Sequence, residues 1–516
     1  MKTIRRLFAR ARVSAVFPLL VACALAACTP TFGVYNPVDA PGEPQGKIEP
    51  LSSYLPPGVT DVKLVFIHGV GDHCPGYALS GAGSSGWLSV EHAARIGLTP
   101  IDAQPRTYPP IYSDEFLPGK GGKAHPFDKK SYVAIRTQHF RYGKTGAVVE
   151  AIEITWSPLT QWVKNNQLED DFTKAGIVEC GPDVPNGAVE AVSRLPDPAA
   201  QPPSRLPLNR LLKENVLDRS LADAGLYMGQ YRSVLQLGLA DALCHTLTGQ
   251  ESASDPAAAA GRPCRWQVSD EDLKTRYLFV THSLGSRLLY DTLLGLMGYR
   301  TPGVDQDLFA TQSPNSQEFT ANVMKNTPVV YMMANQLAFL GLGNLPIDAL
   351  SSEPEGQRAQ VVPPTVESLR TLGLSRMKGS VEIASATQPS VDACGTNDPC
   401  RLGLLKNVAV AVWDNTPLAT TPAASPTLDM IAFSDTNDLL SWSVPKWYQQ
   451  HAAGPDGGQT TPVKFVNVYV KNATHWLGLA ESPLPAHDDY FINSQVLQTI
   501  RCGADRATVR DCPAAQ

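Results

Sequence analysis

The stretch Tyr277-Leu278-Phe279-Val280-Thr281-His282-Ser283-Leu284-Gly285 decides the fold. Its first five residues are apolar or β-branched and predict a strand. Beyond them Leu284, Leu288, Thr292 and Leu296 repeat every four residues, which predicts a helix with one buried stripe. Only a turn is left between strand and helix, and Ser283 stands in it. A sharp turn there lifts the serine hydroxyl above the carboxyl end of the strand, and crowding demands small residues two before and two after it. Gly285 meets that demand; Thr281 is larger than the glycine expected. The helix N-terminus just after Ser283 also favours negative charge. The plainer alternative is a Ser283 that only caps the helix, but a cap needs neither small flanking residues nor a neighbouring histidine.

Outward from this turn, the chain alternates strands with helical or irregular stretches. Val62–Ile67 is almost continuously apolar, as suits a parallel strand buried on both faces, and His68-Gly69-Val70-Gly71 follows it. A hairpin is predicted from Tyr132 to Tyr142 and from Ala147 to Trp156, about a turn at Gly143-Lys144-Thr145-Gly146. Helical periodicity runs through 211–248. Further strands are predicted at 328–334, 408–412, 428–433 and 463–470. The pattern is that of an α/β protein with a largely parallel sheet. Leu337 to Leu342 reads as core or as one wall of a pocket.

The elbow, the glycine loop and the late strands together resemble the α/β-hydrolase superfamily, above all its lipases and esterases. The resemblance covers residues 62–71, 276–296, 428–445 and 463–501. It implies that Ser283 is a nucleophile, and that the backbone N–H groups of Val70 and Leu284 form an oxyanion hole. A glycine loop serving only as a turn is the alternative; a phosphate loop is a worse reading, since no Gly-Lys-Ser/Thr ending is present. The family's chain order of Ser, acid, His puts the acid after a late strand, at Asp438 or Asp435. Asp438 is preferred because it precedes apolar residues and Pro445. The base follows the last strand, at His487 or His475. His487 is preferred because an aromatic residue stands three positions on, with a helix behind it. The regions at about 100–270 and 336–405 match nothing in the family and are expected as cap-like insertions in a hydrolase domain spanning 61–516.

The amino-terminal residues read as a targeting segment. Lys2, Arg5, Arg6, Arg10 and Arg12 precede an apolar run that is too short for a spanning helix and contains Pro18. Leu25-Ala26-Ala27-Cys28 resembles the bacterial lipobox, which implies a signal peptide over 1–27 and acylation of Cys28. Thr29 stands where an inner-membrane retention signal would place Asp, so the resemblance favours the outer membrane. Ordinary cleavage to a soluble protein is the alternative. Residues 28–60, rich in Pro and Gly, read as a lipid-anchored linker.

Removing residues 1–27 removes five basic residues and no acid, leaving 38 basic against 49 acidic and a net charge of −11. So acidic a chain is a poor counterion for phosphate backbones, and nucleic acid is not expected as a partner. Eight cysteines lie beyond Cys28: 74, 180, 244, 264, 394, 400, 502 and 512. An even number in an exported chain predicts disulfides, with Cys394–Cys400 and Cys502–Cys512 the nearest pairs. No Cys-x-x-Cys pair points to zinc. The expected function is therefore hydrolysis of carboxylic esters, small or lipidic, with no metal or cofactor. An acyltransferase would use the same residues. A noncatalytic surface lipoprotein on the same scaffold is the rival from another class.

Overall fold

A computed structural model describes residues 32–37, 45–80, 86–113, 131–168, 206, 209, 212–250, 264–267, 274–297, 315–341, 427–446, 448–449, 463–472, 475–476, 480–481 and 483–512. Its strands up to residue 470 are β1 (Gly33–Tyr35), β2 (Lys47–Ile48), β3 (Asp61–Ile67), β4 (Leu98–Pro100), β5 (Arg106–Thr107), β6 (Ile111–Tyr112), β7 (Tyr132–Tyr142), β8 (Val148–Thr155), β9 (Arg276–His282), β10 (Val329–Met333), β11 (Leu428–Asp435) and β12 (Val463–Val470). Among the described residues, eleven strands form one sheet in the order β1-β12-β11-β10-β9-β3-β8-β7-β4, with β5 and β6 also paired to β7. From β12 to β8 every neighbour is parallel. β7 pairs antiparallel with β8, and β1 antiparallel with β12. The protein thus has a mixed, mostly parallel central sheet flanked by helices.

The alternation along each strand explains the layering. On β3, Val65 and Ile67 join one buried cluster, while Val62, Leu64 and Phe66 join the other. On β10, Val330 and Met332 face the first, and Val329, Tyr331 and Met333 the second. Helices Arg232–Leu247, Leu284–Leu296 and Asn315–Lys325 supply the first layer; Val90–Arg95 and Ser494–Cys502 supply the second. A sheet buried on both faces needs this double cover, which is why its strands read as nearly continuous apolar runs. The helix Leu284–Leu296 is buried even at Arg287 and Asp291, whose charges pair at 2.8 Å, with the Tyr227 hydroxyl donating to the same carboxylate.

Most of the expected strands are found within a residue or two of their predicted bounds; the one at 408–412 lies outside the described residues. Two expectations on organisation are corrected. The stretch from about 100 is not a cap up to residue 168. β5 to β8 belong to the main sheet, and β8 is the parallel neighbour of β3. Helices between 212 and 247 then pack into the first core layer through Tyr227, Leu235, Leu239 and Leu243. Nor does the folded domain begin at 61. Val34 is buried on β1 against β12, and β2 pairs with Ala504 and Asp505, so parts of the expected 28–60 linker are packed structure. Short edge strands of two or three residues carry too little periodicity to stand out from a Pro- and Gly-rich segment. Leu337 and Leu340 are core.

Cys502 and Cys512 form a disulfide, as do Cys244 and Cys264; Cys74 is also disulfide-bonded. Cys394 and Cys400 lie outside the described residues.

Candidate active site

The carboxyl ends of β3, β9, β11 and β12 meet at one edge of the sheet, where open α/β sheets hold their ligands. β9 ends at His282, and Ser283 follows with φ 51° and ψ −124°. That backbone is costly for any residue but glycine and marks a position held by its surroundings. The surroundings here are tight. The Ser283 N–H donates to Met333 O at 2.8 Å, and Ser283 caps the helix with no side-chain hydrogen bond. A methyl placed on Gly285 would lie 2.4 Å from His68 O and 2.6 Å from Ile67 O, so only glycine lets the helix start beside the end of β3. Thr281 is accommodated because its hydroxyl bonds to Ser286 Oγ at 2.8 Å in a fully buried position.

The loop after β3 lies directly on Ser283. A methyl on Gly69 would stand 2.5 Å from Ser283 Cβ. The loop is pinned from behind. His68 Nδ1 donates to Gly69 O at 2.8 Å, and its Nε2 accepts from the N–H groups of Trp156 at 3.0 Å and Ser157 at 3.2 Å. Burial drives the His68 pKa well below the ordinary histidine range, with His73 adding to the effect, so the ring is neutral in this tautomer. Ser157 Oγ donates to Gly71 O at 3.0 Å, and the Gly71 N–H donates to Asp223 Oδ2 at 2.7 Å. His73 Nε2 donates to Val70 O at 3.2 Å; burial brings its pKa down to about 4. Further along, Glu153 on β8 accepts the N–H groups of Gly76, Ala78 and Leu79. Burial pushes its pKa up and these donors pull it back.

The preferred candidates for acid and base stand together. His487 Nδ1 donates to Asp438 at 2.9 Å to Oδ1 and 3.0 Å to Oδ2. Asp438 also accepts the Leu440 N–H at 2.9 Å and the Tyr490 hydroxyl at 2.9 Å. The Tyr490 oxygen in turn accepts the Asp435 N–H at 2.6 Å. Asn335 and Gln336, just after β10, hold the acid loop through Trp442 and Leu440. On the base side, Asn472 Nδ2 donates to Ala486 O at 2.7 Å and His282 Nε2 donates to His487 O at 2.8 Å, so the loop from β12 closes back over the elbow. Burial holds the His282 pKa far below the ordinary value, with His487 adding to the effect, so this ring is a neutral donor.

The two alternative residues are placed differently. Asp435 closes β11, and its carboxylate accepts the N–H groups of Asn437 at 2.8 Å and Asn472 at 2.6 Å. It is a loop-tying carboxylate. His475 lies on a two-residue strand whose backbone pairs with Glu481, well before His487 in the same loop.

Ser283 Oγ and His487 Nε2 are both buried and make no hydrogen bond among the described residues. Unpartnered buried polar groups are rare and call for a functional account. Val70 N–H has no hydrogen-bond partner among the described residues, whereas Gly71 N–H beside it does. Leu284 opens its helix, where an N–H has no intrahelical acceptor. Among the described residues, His282, His487 and Asp488 bring potential metal ligands within 4.8 Å of one another. Each histidine has one ring nitrogen already committed, to a carbonyl and to Asp438 respectively.

The sequence reading missed the supports: Ser157, Lys164, Asp223, Asn335, Gln336 and Asn472. None sits at a motif spacing, and each acts across a long sequence separation. Tyr490 alone carried a signal, as the aromatic three residues after His487. No protein-family model matches the chain, and no curated protein or solved structure matches it either.

Proposed function

We propose that the chain is a serine hydrolase of the α/β-hydrolase type that cleaves carboxylic esters through an acyl-enzyme. The observation that carries the reading is the backbone of Ser283, strained at φ 51° and ψ −124° in a strand-to-helix turn. The buried His487–Asp438 pair, whose Nε2 has no hydrogen-bond partner among the described residues, supports it. In this reaction His487 Nε2 takes the proton of Ser283 as Oγ bonds to the ester carbonyl carbon. The N–H groups of Val70 and Leu284 hold the oxyanion. The tetrahedral intermediate collapses, the alkoxide leaves with the proton from His487, and water repeats the sequence to release the acid. Asp438 orients His487 throughout, and Tyr490 orients Asp438.

A fluorophosphonate probe tests the reading. It is expected to label the wild type once, at Ser283, and to leave a folded Ser283→Ala protein unlabelled and inactive on p-nitrophenyl esters. Absence of labelling in the folded wild type refutes it in favour of a noncatalytic scaffold. Product analysis with an added alcohol separates hydrolysis from acyl transfer.

We also propose export, cleavage before Cys28 and an acyl tether to a membrane, favouring the outer one. The support is the basic start, the short apolar run and Leu25-Ala26-Ala27-Cys28, all outside the described residues. Several acyl chains anchor firmly, at about 0.8 kcal/mol per buried methylene. Intact mass of the native membrane-fraction protein is expected to show acyl groups, lost on Cys28→Ser.

A further inference from the structure

Beneath the Gly69–His73 loop lies a cluster of four charges that the proposed chemistry does not use. Lys164 Nζ stands 3.0 Å from Asp72 Oδ1 and 2.9 Å from Asp223 Oδ1, and donates to Arg219 O at 3.0 Å. Arg219 Nε lies 3.4 Å from Asp72 Oδ2. Two cations thus balance two carboxylates. The Lys164, Asp72 and Asp223 side chains are 2 %, 7 % and 0 % exposed. Burial opposes charge on Lys164, but the two carboxylates outweigh it and hold its pKa above the ordinary value. Burial raises the Asp223 pKa, and Lys164 pulls it back.

Burying four charges is expensive, and such a cluster is weak as a source of stability. Its placement suggests a different use. Asp72 belongs to the loop itself. Asp223 Oδ2 accepts the Gly71 N–H while its Oδ1 is held by Lys164. Gly71 has φ 104°, a conformation that other residues rarely adopt, so this bond, with the one from His73 Nε2 to Val70 O at 3.2 Å, fixes the Val70–Gly71 peptide from both sides. On the other side of the same residue, Ser157 holds Gly71 O. The peptide immediately before Gly71 joins it to Val70, and the Val70 N–H is the one predicted to meet the oxyanion.

We propose that Asp223 and Lys164 are positioning residues of the oxyanion hole, fixing the Gly71 backbone so that the Val70 N–H points at the oxyanion formed on the carbonyl attacked by Ser283. This rests on the hydrolase reading. The lysine's part is to hold the Asp223 carboxylate in the one rotamer that accepts from Gly71. A donor misplaced by about 1 Å costs about a hundredfold in rate, and the cost falls on the transition state rather than on the ester ground state.

The test uses the full-length protein, with p-nitrophenyl butyrate as substrate and an alkyl trifluoromethyl ketone, which forms a tetrahedral oxyanion on serine, as probe. Asp223→Ala is expected to lower kcat and ketone affinity together, each by about a hundredfold, with KM little changed. Asp223→Asn keeps an oxygen for the Gly71 N–H and is expected to recover most of the loss, which a merely structural role does not predict. A folded Asp223→Ala with wild-type ketone affinity overturns the proposal, as does a folded Asp223→Asn that is as impaired as the alanine variant. If Asp223→Ala does not fold, the double variant Lys164→Met with Asp223→Asn removes one charge of each sign. It is expected to bind the ketone at least tenfold more weakly, and wild-type affinity there overturns the role of Lys164. Fluorophosphonate labelling of the wild type separates the two readings. If the wild type does not label, the hydrolase reading fails and this one with it; if it labels and the variants bind the ketone normally, only the positioning role fails.

Discussion

Gly69→Ala tests the contact on which the site depends. A methyl at residue 69 would lie 2.5 Å from Ser283 Cβ, 2.8 Å from His282 Nδ1 and 2.9 Å from His282 O, whereas ordinary contact begins near 3.4 Å. Gly69 is not among the residues with positive φ, so the cost is steric and not conformational. Relief requires loop and elbow to part by the difference, about 0.9 Å. Neither side yields easily. The elbow is tied to Met333 O, and the loop to Ser157, Asp223 and the neighbours of His68. A shift of that size carries the Val70 N–H away from the oxyanion. The expected loss in kcat is about a hundredfold, or about 2.7 kcal/mol in the barrier. Overpacking adds a stability loss of about 1–3 kcal/mol. The assay is kcat and KM on p-nitrophenyl butyrate at equal folded concentration, with thermal unfolding measured alongside. Gly225→Ala is the control: a methyl there meets nothing within 4 Å, and activity is expected to be unchanged. A folded Gly69→Ala protein with wild-type kcat refutes the reasoning, because the loop would then not be seated against Ser283 as described.

Other consequences can be measured independently. Tyr490→Phe removes the donor to Asp438 and the acceptor of the Asp435 N–H; it is expected to cost about 1–3 kcal/mol in denaturant unfolding and about tenfold in kcat. An unchanged unfolding midpoint would contradict it. His487→Ala and Asp438→Ala are expected to lose several orders of magnitude in turnover, whereas His475→Ala and Asp435→Ala lose about tenfold or less; the reverse ranking in either pair overturns that assignment. His68, His73 and His282 are kept neutral by burial, His73 titrating only at about 4. Each gains a proton on unfolding below the ordinary histidine pKa of about 6.5. Stability is therefore full above that value and is lost as pH falls, by about 4 kcal/mol for the three at one unit below it. Glu153 and Asp223, raised by burial, bind protons in the folded state before the unfolded one and oppose this as the pH falls through their raised folded pKa. Denaturant midpoints that stay flat from neutral to mildly acidic pH would refute the assignment of these rings as neutral.

The sequence by itself determined the α/β class, most of the central strands and the turn at Ser283, because these depend on local periodicity. A strand buried on both faces must be apolar throughout, and a turn between strand and helix must have small residues about it. Asp438 and His487 were readable as candidates from chain order: Asp438 stands just past a late strand, and His487 follows the last long strand at the far end of its loop. Choosing them over Asp435 and His475 rested on the resemblance and on their greater distance from the strand ends. Tertiary structure decided what depends on distant partners. Asp435 is spent on Asn437 and Asn472, while Asp438 is free to meet His487. Tertiary structure also decided that β5 to β8 belong to the sheet, because β8 finds its partner β3 about 90 residues back. The seating of the glycine loop was illegible for the same physical reason. It is held by Asp223, Lys164, Ser157 and Trp156, which no spacing marks, because hydrogen bonds and ion pairs between distant segments leave no period in the chain that makes them.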